Sequence, residues 1–250
     1  MLNTLKNHPF AVEAFFKSSV VLSYALPQEK LAPLIPPCLQ VDTFKDKFGF
    51  VAVAMVETCD LRPAGMPAFL GQNFFLIGYR VFVRYRDRAG RSLRGLYILR
   101  SATNKGRMQT FGNLFTHYNY STVDFTEKSE GNTKTISSTE PQLLVTYQEK
   151  TDGEDVDLPE GSPFATWHEA RKFAGPLPNT FTYNAAKREV LIIEGVRENW
   201  RPAPVRVLEQ HVGLLDELGL GEARLANAFA VRDIPYRWEK GRIEKWEMPS

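Results

Sequence analysis

Between residues 80 and 120 the chain carries arginines, a lysine and a histidine set among apolar and aromatic neighbours, and each type handles an anion or a proton in its own way. Arg80 stands inside the apolar run at 79–83. A guanidinium there can seat a carboxylate through its planar fork, or it can be a charge on the wet face of a strand. Arg100 follows the apolar run at 96–99 and can reach inward from a rim, or close a rim salt bridge. Lys105 lies two residues before Arg107, whose charge would lower the lysine pKa and favour a free amine for carbonyl chemistry; the plain alternative is a solvated loop lysine. His117, Tyr118, Asn119 and Tyr120 are consecutive and offer a hydrogen-bonding wall, with the imidazole as general acid or base or simply as a packed side chain. Glu57 ends an apolar strand pattern and is a candidate partner for one of these arginines or a member of a structural ion pair.

Strands must position these groups. The runs 74–85 and 95–99 are β-rich and flank a turn-like 87–90, with a short helix expected after the break at 101–105. Upstream, 9–17 has roughly helical spacing, 18–26 reads as a strand, and 27–37 as a brief helix stopped by prolines. Segments 39–44 and 48–57 form a hairpin pattern around 45–47, and the Pro- and Gly-containing 62–71 a loop. Downstream, 121–125, 133–139, 142–149, 180–183, 189–198 and 226–238 read as strands. Residues 163–173 and 205–218 have helical spacing, and 150–161 is an acidic loop.

With 43% hydrophobic and 24% charged residues in 250, the chain has the composition of one globular domain spanning 1–250. A net charge of +2 argues against nucleic acid and against an anionic membrane surface as partner. Two cysteines and the charged residues near the N-terminus point to the cytoplasm. The four histidines are scattered, and HExxH, CxxC, dinucleotide-binding and nucleophile-elbow patterns are absent, so no metal and no cofactor is expected. A long sheet with few helices is expected to close on itself.

Several pieces taken in order resemble the acetoacetate decarboxylase-like superfamily, within it the YqjF-like (DUF2071) branch. They are Pro27, Leu31, Leu34, Pro36, Pro37 and Leu39; the strand 48–57 followed by Arg62–Pro63–Ala64–Gly65; Asn73–Phe74 with 79–83; and Glu194–Gly195 through Trp200–Pro202. The resemblance implies a mainly β (α+β) fold, an acetoacetate decarboxylase-like antiparallel β-barrel with a few short peripheral helices, and a small ligand in its interior. In the decarboxylases a lysine forms a Schiff base and a neighbouring lysine lowers its pKa, the case that is the standard example of amine activation. Here the corresponding run, at about 114–120, holds no lysine, and no Lys–Lys pair occurs in the chain. Decarboxylase activity is therefore not expected. The expected ligand is a small organic acid or carbonyl compound, lined by Arg80, Arg100, Glu57, Tyr118, Asn119 and Tyr120. The alternatives are a lyase or hydrolase using Lys105 or His117, and a non-catalytic scaffold or dimerisation module whose interior is filled by Phe74, Phe82, Tyr97 and Phe115. Assembly into a homo-oligomer stays open.

Overall fold

The computed structural model describes residues 6–140, 142–150 and 156–247. In chain order its elements are β1 (Val12–Pro27), α1 (Gln28–Leu31), β2 (Gln40–Val41), β3 (Phe48–Pro63), β4 (Gln72–Arg86), β5 (Ser92–Thr103), α2 (Gly106–Phe115), β6 (Tyr120–Thr122), β7 (Phe125–Glu130), β8 (Thr133–Thr139), β9 (Gln142–Glu149), α3 (Trp167–Ala174), β10 (Asn179–Asn184), β11 (Glu189–Arg197), β12 (Ala203–Val212), α4 (Gly213–Glu217), β13 (Arg224–Trp238) and β14 (Arg242–Lys245). The fold is mainly β with short helices, as the sequence indicates.

Strand β1 pairs with β3 on one side and β13 on the other, β4 lies between β3 and β5, and β11 pairs with both β10 and β13. Because β10 runs beside β5, the path β1, β3, β4, β5, β10, β11, β13 returns to its start as a ring. Closing the path gives each of these seven strands a partner on both sides and leaves edges to outer strands such as β7 and β14. The pairing is not wholly antiparallel as expected: β5 accepts β10 and β6 in parallel, which long connections through α2 and α3 permit.

The face each strand turns inward follows from period-two alternation. On β4, Ile77, Tyr79, Val81 and Val83 face out, packed with Val51, Val53 and Met55 of β3 against Ile136, Val145 and Val205 of the outer strands β8, β9 and β12. Leu76, Arg80 and Phe82 face in. At one end of the ring Phe44, Phe50, Phe82, Phe164 and Phe173 form an aromatic plug under α3, with ring centroids 4.8–6.1 Å apart. At the other end Met108 of α2 packs on Phe16, Val56 and Phe74. The plug fills only part of the interior; of the four aromatics expected to fill it, Phe82 is the one in this plug.

Three of the segments that differ from their sequence expectation have a plain cause, a register shift in two and a different pairing partner in the third. Residues 12–17, expected within a helix, are the start of β1. Register shifts at Glu13/Phe15 and Phe16/Ser18 break the alternation that would mark a strand. Most of 205–218 is likewise strand β12, shifted in register at Val207/Glu209, with only Gly213–Glu217 helical. Leu208, the extra residue, is left exposed. Segment 39–44 pairs mainly with β4 through Gln40 and Val41, and meets β3 only at the Phe44–Phe48 bridge. Of the acidic loop 150–161, residues 151–155 lie outside the described residues.

Candidate functional site

Strand β4 brings Arg80 into the ring, and two local features make room for it. The β4–β5 register slips between Tyr79 and Arg80, so Tyr79 faces Arg100 while Arg80 faces Ile98. Arg100 thereby shares the outward face of Tyr79, and Arg80 shares the inward face of Ile98. Two residues before Arg80 on the same face is Gly78, where a Cβ would stand 2.8 Å from the Arg80 Nε. The glycine is therefore the space in which the guanidinium lies.

The guanidinium lines a cavity of 110 Å³ together with Arg197, Tyr118, Tyr120, Trp200 and Tyr236. The Nε of Arg80 is sealed from solvent and has no hydrogen-bond partner, and the surface Arg80 retains is that of the cavity. Arg197 enters from the end of β11, donating to the Tyr236 hydroxyl at 3.3 Å and to the Leu177 carbonyl at 2.9 Å, with its charge over the rings of Trp200 and Tyr236. Among the described residues neither arginine is paired with a carboxylate, and no Asp, Glu, His or Lys lines the cavity. The Trp200 Nε1 also lacks a partner. The Tyr118 hydroxyl lies near that of Thr180, but no hydrogen bond of good geometry joins them.

Burial lowers the Arg80 pKa, the phenols of Tyr236, Tyr120 and Tyr118 oppose that shift, and Arg197 reinforces it. Guanidinium is so strong a base that Arg80 stays charged. Burial also raises the phenols, Tyr118 strongly and Tyr120 to about 12, so both are neutral donors at ordinary pH. Guanidinium N–H, phenol O–H and indole N–H groups thus face one cavity whose acceptors among the described residues, the Ser19, Ser101, Thr180 and Tyr236 hydroxyls and the Leu177 carbonyl, are all neutral. Buried donors without partners are costly and uncommon. A carboxylate, which only accepts, is the group that completes such a set.

Of the residues singled out from sequence, Arg80, Tyr118 and Tyr120 come together here. Tyr120 is held by Asn113 of α2, whose side-chain oxygen accepts from the Tyr120 N–H at 2.8 Å while its amide donates to the Tyr120 carbonyl at 2.9 Å. Gly112 lets the ring lie flat on α2, since a Cβ there would be 2.4 Å from it. Asn119 is exposed, in the left-handed region at φ 52°. His117 is half-buried and does not line the cavity; its pKa is lowered by burial and by Lys6. Lys105 is exposed at the start of α2, where its carbonyl accepts from the N–H groups of Met108 and Gln109. Glu57 pairs with Lys17 at 2.9 Å and Arg100 with Glu217 at 3.0 Å, both outside the cavity. Arg197 and Trp200 were not foreseen; they fall in the 194–202 segment that carries the family resemblance, but their spacing announces nothing by itself.

A second pocket, of 340 Å³, adjoins the first across a wall of Tyr118, Tyr120 and Trp238. It is lined by Phe10, Met66, Met108, Phe111 and Phe115, with His8 at its side. His8 is buried, its Nδ1 unpartnered, and burial lowers its pKa against a smaller upward pull from a backbone hydrogen bond with Glu239. The folded state therefore resists protonation of His8 more than the unfolded chain does. Stability is expected to be full above the ordinary imidazole value of 6.5 and to fall as the pH drops through it, levelling off below the lowered folded value. Urea titrations of the wild type and His8→Phe between pH 5 and 8 check this, the variant giving the flatter profile.

The family model DUF2071, described as an uncharacterized conserved protein, matches residues 14–244. No curated protein matches the chain. Among solved structures, acetoacetate decarboxylase from Legionella pneumophila is similar with a TM-score of 0.63 at 9% identity, covering 94% of this chain and 88% of that one. An acetoacetate decarboxylase-like enzyme from Sphingomonas wittichii gives 0.58 at 9% identity, with 96% and 94% covered. The enduracididine biosynthesis enzyme MppR, complexed with pyruvate, gives 0.55 at 9% identity, with 94% and 90% covered. At such identities the likeness establishes the fold, which is that of acetoacetate decarboxylase, and the family match carries the membership: the chain belongs to the DUF2071 family.

Proposed function

We propose that the interior of the ring binds a small organic acid, with the carboxylate seated on Arg80 and Arg197 and further held by the Trp200 indole. The observation that carries this reading is the pair of guanidinium groups facing one cavity with no carboxylate among the described residues to neutralise them. A structurally similar protein is known in complex with pyruvate, which makes α-keto acids the first ligands to try. The proposed site of action is the cytoplasm, in keeping with two free thiols; no helix among the described residues is long and apolar enough to cross a membrane. Binding fits better than Schiff-base chemistry, because no lysine among the described residues lines the cavity and Lys105 is exposed. A scaffold would need a filled interior, whereas the aromatic plug leaves a donor-lined space.

Calorimetric titration with pyruvate and acetoacetate tests the proposal. Saturable binding is expected in the wild type and a loss of at least about tenfold in Arg197→Met, since a charge-assisted bond contributes roughly 1.5–3 kcal/mol. Borohydride added to the pyruvate complex is expected to leave no lysine adduct by intact mass. Failure of every acid in a broad panel to bind would remove the proposal, and a trapped lysine would replace it with amine catalysis.

A further inference from the structure

We infer that the acid carries an apolar chain, which passes the wall of Tyr118, Tyr120 and Trp238 and lies in the outer pocket; the ligand class is a medium-chain monocarboxylate. The inference rests on the acid-binding reading above and extends it to the rest of the ligand.

Size is the first argument. A cavity of 110 Å³ is small beside the roughly 300–1,000 Å³ of ordinary ligand pockets. It accommodates a carboxylate and a few carbons, so a larger acid must extend elsewhere. The outer pocket, at 340 Å³, brings the two chambers together into the usual range, and three side chains belong to both.

The chemistry of the outer pocket is the second argument. Its one arginine, Arg62, is already engaged, donating to the carbonyls of Met66 at 2.8 Å and Asp60 at 2.9 Å and lying 3.5 Å from Glu13. His8 is held neutral by its burial. Among the described residues the outer pocket thus has no free charge for a second carboxylate or a phosphate. What it offers is carbon: Phe10, Met66 and Phe111 are large apolar side chains left 37%, 42% and 45% exposed at one mouth. Apolar surface gathered in this way marks a binding site more often than chance exposure does.

The wall has one member free to move. Tyr120 is wedged on Gly112 and clasped by Asn113, and Trp238 packs at a tilt against Tyr236 with centroids 4.4 Å apart. The Tyr118 hydroxyl has no well-formed hydrogen bond to hold it. A rotation of Tyr118 would therefore join the chambers while its neighbours keep their places.

Titrating the full chain with propanoate, octanoate and 1-octanol tests this. Each buried methylene is worth roughly fourfold in affinity, so octanoate is expected to bind at least about tenfold more tightly than propanoate, with octanol weaker than octanoate. Phe111→Asp and Met66→Asp alter exposed positions and should keep the fold. They are expected to abolish the chain-length gain and leave propanoate affinity within about twofold of wild type, while Arg80→Met loses both acids. Equal, Arg80-dependent affinities for the two acids would overturn the inference and leave acid binding intact. Octanoate binding that survives Arg80→Met would also overturn it, as would a two-copy particle mass that falls to one copy in Phe111→Asp, which would assign the apolar mouth to a second copy. Binding of neither acid would sink the acid-binding reading itself.

Discussion

Replacing Arg80 with methionine is expected to make the protein more stable and, in the same variant, unable to hold an organic acid. The two effects have one cause. Arg80 sits inside the ring with its Nε unpartnered and, among the described residues, no carboxylate beside it, so the apo fold bears a desolvation penalty that only the neutral phenols of Tyr236, Tyr120 and Tyr118 oppose. Methionine has a similar unbranched length, carries no charge and fits beside Gly78. Replacing buried ionic groups with apolar ones of like volume has stabilised other proteins by about 1–4 kcal/mol, and for a chain of this size each kcal/mol is roughly 2–4 °C in Tm. Without ligand, Arg80→Met should therefore melt several degrees above the wild type. With saturating pyruvate the order should narrow or invert, because a ligand at about 100 times its Kd adds roughly 2.7 kcal/mol to the wild type and nothing to the variant. Differential scanning calorimetry with and without pyruvate reads both effects. A variant that melts well below the wild type would make Arg80 a structural residue.

The opposite result is expected at Asp42, whose arginines sit on the same sheet. Its carboxylate is fully buried and accepts from Arg84 and Arg94 at 2.6 Å each, so here the chain supplies the anion that Arg80 lacks. Arg94 also donates to the Phe173 carbonyl at 2.9 Å and lies over the Phe173 ring, which ties α3 and the aromatic plug to β5. Asp42→Ala removes the shared acceptor. Removing one member of a buried ionic group costs about 3–5 kcal/mol. Here the side chains of Arg84 and Arg94 are 40% and 28% exposed, and water can take over part of the solvation, so the lower end, about 3 kcal/mol, is expected. That corresponds to roughly 6–12 °C in Tm, with Asp42→Asn falling between wild type and Asp42→Ala because it keeps an acceptor. Pyruvate affinity, measured below the lowered transition, should change little in either variant. A loss under about 1 kcal/mol in Asp42→Ala would mean the ion cluster is solvated and the plug is held by its aromatics alone.

Taken together the two substitutions separate function from fold within one residue type. Arg80 and Arg84 lie four positions apart on one face of β4, yet one has its counter-ion and the other does not. A protein that only needed to fold would be more stable with both neutralised, so the unpaired one is the better candidate for a role in binding.

The long runs of period two at 48–57, 74–85 and 226–238 by themselves determine a mainly β chain, because a sheet with one face on a core imposes that alternation along every strand. The order of its motifs determines the family. Arg80, Tyr118 and Tyr120 were legible as candidates because polar groups inside apolar or aromatic runs are costly to keep without a purpose. Sequence could not say which face of β4 turns inward, since a slip of one residue in pairing exchanges the faces. Bulges hid the start of β1 and most of β12 for the same reason: one extra residue shifts the alternation and makes a strand read like a helix. Whether a charge is neutralised was decided only by the tertiary structure. Asp42 reaches Arg84 and Arg94, Glu217 reaches Arg100, and Lys17 reaches Glu57, each across strands or elements distant in the chain. Arg197, arriving from β11, adds a second positive charge beside Arg80 in place of a counter-ion. Electrostatic pairing depends on distances of a few ångströms in space, and those are set by ring closure, which no local pattern of residues encodes.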